Sequence, residues 1–139
     1  MTTYLLSSIA GRVAVVLCAF AILLPYVLRR SRLSRTLGFA QDNASPYVHR
    51  LWPHFWLGYL ILAFSIVHAG TVMAAMARAN QAGLWAATVA LFLLVLAVMF
   101  GLSLKDVGLT GRTLIRRLHF WTMAAVVVSL AVHLWLNAR

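Results

Sequence analysis

Charged residues are placed so sparsely along this chain that they divide it into four long uncharged runs. These are Val13–Leu28, Leu51–Ala77, Ala79–Leu104 and Leu118–Ala138, of 16, 27, 26 and 21 residues. A helix needs about 20 largely apolar residues to cross a bilayer, so the pattern predicts four membrane spans. Composition agrees: 63 % of the 139 residues are hydrophobic and 10 % are charged, against about 45–50 % and about 25 % in soluble domains. The expected fold is an all-α, integral membrane four-helix transmembrane bundle running up-down-up-down. It forms one domain over residues 1–139, with spans near 5–28, 47–76, 83–104 and 114–137. The connections leave no room for a soluble catalytic domain, so soluble chemistry is expected of a partner.

The charges that do occur are lopsided, 12 Lys and Arg against Asp42 and Asp106. They flank spans rather than gather on one surface, which argues for membrane topology and against nucleic acid as a partner. Nine basic residues (Arg29, Arg30, Arg32, Arg35, Arg50, Lys105, Arg112, Arg116 and Arg117) border the first and third connections; Arg12, Arg78 and Arg139 border the other side. The positive-inside rule therefore places those two connections in the cytoplasm and both termini outside, in the cell's inner, cytoplasmic membrane. Trp52, Trp56 and Trp121 would mark inner interfaces, and Trp85 and Trp135 outer ones. The N-terminus lacks a basic n-region and a small-residue cleavage site, so the first run is expected to stay as a span. Cys18 is alone, and no CxxCH motif occurs for covalent haem attachment.

Span one is too short unless its helix starts near Tyr4 and takes Arg12 into its outer turns. Arg12 then serves either as an interfacial anchor that snorkels or as a counter-ion for something anionic held in the bundle.

Five histidines occur, and four of them repeat one spacing. His54 and His68 lie 14 residues apart in span two, and His119 and His133 lie 14 apart in span four. Fourteen helical steps return to within ~40° of the starting direction and advance ~21 Å, so each pair shares one helix face. Spans two and four run the same way, which sets His54 level with His119 and His68 level with His133. Two opposed imidazoles at each of two depths suit a haem iron, whose axial positions lie on opposite sides of the ring. A bare zinc or copper ion wants three or four converging ligands, and no Cys, Asp or Glu lies at either level. The expected cofactors are two non-covalent b-type haems with bis-histidine ligation, an inner one on His54 and His119 and an outer one on His68 and His133.

Between the ligands the same faces present Gly58, Ile61 and Ser65 on span two, and Thr122, Val126 and Ser129 on span four. The small residues Gly58, Ser65, Thr122 and Ser129 would leave clearance for flat rings, with Ile61 and Val126 as apolar filling. Ser65 and Ser129 are placed to offer hydroxyls near the outer imidazoles. The bland alternative is that small residues let membrane helices pack closely. His49 lies about 100° off the ligand face and reads as interfacial. Ser45-Pro46 looks like a helix start, with a kink to follow at Pro53.

His54-x13-His68 and Arg116-Arg117-Leu118-His119-x13-His133-Leu134 resemble the four-helix, di-haem half of cytochrome b from quinol:cytochrome c oxidoreductases, and more loosely the ferric reductase-like transmembrane domain. The resemblance implies a low-potential and a high-potential b haem, paired across helices. It does not extend to quinol oxidation, because the Pro-Glu-Trp-Tyr motif and a second set of four helices are missing. Haem propionates would call on Arg50, Arg116 and Arg117 at the inner level and Arg12, with Arg78, at the outer. The expected function is transmembrane electron transfer as a subunit or partner of a redox or respiratory complex. A stand-alone quinone-linked oxidoreductase, of the superoxide oxidase or ferric reductase type, is the alternative. A non-redox helical membrane protein is the third. Membrane lipid, other redox subunits and a quinone are the expected partners.

Overall fold

The computed structural model describes residues 2–29, 51–73, 80–106 and 110–138. They form four helices: α1 (Thr2–Arg29), α2 (Trp52–Met73), α3 (Gln81–Ser103) and α4 (Arg112–Asn137). Each is long and apolar enough to cross a membrane, and there is no strand among the described residues. The protein is an all-α four-helix bundle of multi-pass membrane character, as the uncharged runs require. Inside a bilayer nothing but the segment itself can satisfy backbone N–H and C=O groups, and a helix does so completely.

The helix ends follow local chemistry. Asn80 caps α3, its side-chain oxygen accepting from the N–H groups of Ala82 (3.2 Å) and Gly83 (3.4 Å). Gly111 precedes α4 with φ 76°, a left-handed turn that a residue without Cβ enters freely. At α2 the Leu51 carbonyl accepts from Phe55 N–H at 3.2 Å, so the helix begins at Trp52 with Pro53 in its first turn. Proline belongs there, where its missing N–H has no intrahelical partner to lose. Pro53 thus stands in the first turn of α2; the start expected at Ser45-Pro46, and with it the kink expected at Pro53, lies outside the described residues, as does His49.

Helix α1 packs along α2 and α3 along α4, and the two pairs meet chiefly through α2 and α3. From Ser7 to Ala21 the buried face of α1 is made of small side chains, Ser7, Ala10, Ala14, Cys18 and Ala21, with Leu28 buried at its end; the small ones let the α2 backbone come close without apolar driving force from lipid. All four helices converge at mid-height on one cluster of Cys18, Ala21, Ile61, Leu94 and Val126. Ile61 and Val126 sit seven residues from both histidines of their helices, in the place expected for apolar filling between two levels. The five tryptophans stay more than half exposed around the bundle.

Candidate functional site

Each of the four span histidines is half-buried and turns its Nδ1 to the neighbouring helix. His54 donates to the Ala21 carbonyl at 3.1 Å, and His68 to the Ser7 carbonyl at 2.8 Å, with Ser7 Oγ also 3.1 Å away. On the other pair, His119 donates to the Ala97 carbonyl and His133 to the Gly83 carbonyl, both at 2.9 Å. The acceptors obey the same interval as the donors: Ser7 and Ala21 are 14 apart on α1, and Gly83 and Ala97 are 14 apart on α3. Helices α1 and α3 therefore run antiparallel to the histidine helices and present one carbonyl at each level.

A carbonyl can only accept, so each of these contacts calls for the proton on Nδ1. A proton held on Nδ1 leaves Nε2 with its lone pair available, the arrangement found when an imidazole binds a metal. The imidazoles then meet in pairs across the gap between α2 and α4. His54 and His119 have ring centroids 6.2 Å apart at 86°, and His68 and His133 have centroids 6.3 Å apart at 79°. The expected pairing at two levels is what the bundle brings together.

No family model, curated protein or solved structure matches this chain.

The donor set can be tested against one iron atom by length alone. A metal–imidazole bond of about 2 Å on each side, plus about 1.1 Å from nitrogen to ring centre, predicts a centroid separation of about 6.2 Å. Both pairs are compatible with that value, which ordinary edge-on ring contacts such as Trp56–Tyr59 at 6.1 Å also reach. Among the described residues no three of His, Cys, Asp and Glu come together to hold a bare metal ion, so two nitrogens per level are what is offered. A haem iron, whose other four ligands come from its own macrocycle, needs those two.

Space for a ring is present at the His68–His133 level as a chamber of about 1340 Å³ walled by all four helices. It is larger than the roughly 300–1,000 Å³ of most small-molecule sites. Ser65 lines it with His68 and His133, while Ser129 does not. Neither serine holds an imidazole. Backbone carbonyls took the place expected for their hydroxyls, and the one hydroxyl that reaches a ring is Ser7. At Gly58, one turn from His54, an added Cβ would meet nothing within 4 Å. Thr122 is half-buried on α4.

Glycine does a second job that the sequence did not announce. A Cβ on Gly11 would lie 2.9 Å from His68 Nδ1, and one on Gly101 would lie 3.3 Å from His119 Cε1. One on Gly83 would lie 2.6 Å from the Asn137 amide. Ser7, Gly83, Gly101, Asn80 and Asn137 all bear on the imidazoles and were not singled out by pattern. The available signal was the 14-residue interval between small residues in the first and third spans.

The arginines divide. Arg12 lines the chamber with an exposed side chain, but it lies five residues, about 7.5 Å, farther along α1 than Ser7. It lies about two turns into the span Leu5–Leu28. Arg116 and Arg117 are exposed at the start of α4, just before His119. Arg50 and Arg78 lie outside the described residues.

Proposed function

We propose that the chain is a membrane di-haem b cytochrome, one haem bound between His54 and His119 and the other between His68 and His133. It carries electrons between the two membrane faces as a subunit or partner of a larger redox assembly. The observation that carries this is the duplicated pair: two facing imidazoles at one separation, each with Nδ1 given to a carbonyl, repeated 14 residues along every helix. Each bound haem supplies a one-electron iron centre.

The chain's own residues do the rest. The carbonyls of Ser7, Ala21, Gly83 and Ala97 favour the Nδ1–H tautomer and fix the azimuth of the imidazoles. The Ile61, Leu94 and Val126 cluster excludes water between the levels. Arg12, on the chamber wall, faces anionic propionate groups, the kind of partner that a charge within a span calls for. Arg116 and Arg117, with Arg50, serve the other level. The basic connections support a place in the inner, cytoplasmic membrane with both termini outside. The size of the chamber supports a second reading, in which a quinone or a small outer-face substrate exchanges electrons with the protein directly.

Protein made with haem supplied should show a b-type α band in its reduced-minus-oxidised spectrum and two haems per chain. His54→Ala and His119→Ala should each remove one haem, and His68→Ala and His133→Ala the other. A colourless protein overturns the proposal, leaving the histidines as interhelical hydrogen-bond donors. Equal loss of both haems from every variant overturns the pairing. Reduction or oxidation of a quinone analogue by the purified protein would favour the second reading.

A further inference from the structure

The four imidazoles are not equivalent at Nδ1, and the difference lies in one side chain. Among the described residues, Nδ1 of His54 and of His119 faces only a carbonyl, Ala21 O and Ala97 O, and Nδ1 of His68 faces the Ser7 carbonyl and the Ser7 hydroxyl, which can accept as readily as it donates. His133 has the Gly83 carbonyl at 2.9 Å and, in addition, the amide nitrogen of Asn137 at 3.2 Å. The orientation of that amide is fixed by a second bond, because Asn137 Nδ2 also donates to the His133 carbonyl at 2.8 Å. Turned over, the amide would set its oxygen against that carbonyl oxygen. The two neighbours of His133 Nδ1 therefore ask for opposite states. The Gly83 carbonyl accepts a proton from Nδ1, whereas the Asn137 amide donates to a bare one.

The surroundings keep Asn137 where it is. Gly83 leaves the space that the amide fills. Asn80 caps the Gly83 N–H through Oδ1 and ties α4 down by donating to the Leu136 carbonyl at 2.9 Å.

We infer that Asn137 is a positioning residue that makes His133 the weakest electron donor of the four imidazoles and so sets the His68–His133 site at a higher potential. A carbonyl drawing on Nδ1–H makes an imidazole more basic and favours the oxidised metal. An amide N–H facing the same nitrogen opposes that pull and favours the reduced one. The inference rests on the haem reading above, but its first half concerns the imidazole alone.

Two measurements test it. The first is 15N spectroscopy of the full chain labelled at histidine and purified without added haem. His133 should show more bare Nδ1 than His54, His68 and His119, and Asn137→Leu should abolish the difference. Four alike histidines, or no response to Asn137→Leu, overturn the inference whether or not the protein binds haem. The second is a redox titration of the haem-loaded protein. Asn137→Leu, or Asn137→Ala if leucine disturbs folding, should lower the His68–His133 component by up to about tenfold in its oxidised-to-reduced ratio, about 59 mV for one electron. Asn137→Asp, which offers only acceptors, should lower it further, while the His54–His119 component stays in place. A merely structural role would move the leucine and aspartate variants alike. Equal shifts, or an aspartate variant at or above the native potential, overturn the inference.

Discussion

Replacing Gly11 by alanine separates the stability of the bundle from the integrity of its site, because the two should respond with opposite signs. The new Cβ would stand 2.9 Å from His68 Nδ1, 3.0 Å from Cε1 and 3.4 Å from Cγ. Comfortable non-bonded contact needs about 3.5–4.0 Å, so the ring must retreat from α1 by roughly 0.6 Å or more. The acceptor of its hydrogen bond, the Ser7 carbonyl at 2.8 Å, is on the same helix. A retreat of that size stretches the bond to roughly 3.4 Å, beyond the usual range. It also exceeds the tolerance of about 0.5 Å within which a binding constellation works. Loss of such a supporting bond weakens metal binding by about 10–100-fold, or roughly 1.4–2.7 kcal/mol. Alanine in place of a helical glycine stabilises the helix by about 1 kcal/mol. Gly11→Ala should therefore unfold no earlier than the parent when haem-free, yet lose the haem at the His68–His133 level and keep the other. Haem per chain and the reduced-minus-oxidised spectrum report the loss, and thermal unfolding reports the gain. Gly70→Ala, where a Cβ meets nothing within 4 Å, is the matched control. Full retention of both haems in Gly11→Ala at native affinity would refute the reasoning, as would an unfolded variant that loses both together.

Three other substitutions read different parts of the bundle. Gly58→Leu meets no protein atom at its Cβ, so it should leave the fold intact while excluding the haem at the His54–His119 level; unchanged haem content would place the ring elsewhere. Ile61→Ala opens a cavity where all four helices meet and should cost about 2 kcal/mol in unfolding, the low end for such a truncation because the side chain leaves lipid rather than water on folding. A change within error would show that the cluster does not hold the bundle. Asn80→Ala removes the cap of α3 and should cost about 1 kcal/mol, measured by thermal unfolding; an unaltered midpoint would mean that water replaces the cap.

The fold was legible because charge is rare: four uncharged runs leave one way to satisfy the backbone in lipid. The pairing of the histidines was legible too, since 54 with 68 and 119 with 133 share one interval, and parallel spans bring like depths together. Ile61 and Val126 follow from the same arithmetic. What the pattern missed was the rotation of α1 and α3 about their axes. Their residue types mark the faces turned to α2 and α4 only faintly, by small residues at the 14-residue interval, Ser7 with Ala21 and Gly83 with Ala97. Ser65 and Ser129 drew attention as the polar atoms in sight, whereas a main-chain oxygen has no letter of its own. Asn137 escaped for a related reason, since at the end of a span it looks like any polar residue at an interface.

The pairing of helices has a consequence for assembly. Every bond that aims an imidazole is made within α1 and α2 or within α3 and α4, while each imidazole finds its counterpart only across the boundary between those pairs. Each half can therefore mature separately, with its two rings already locked, before it meets the other. Under the haem reading, an object held between the halves would be gripped only once both are in place, like a rivet driven last.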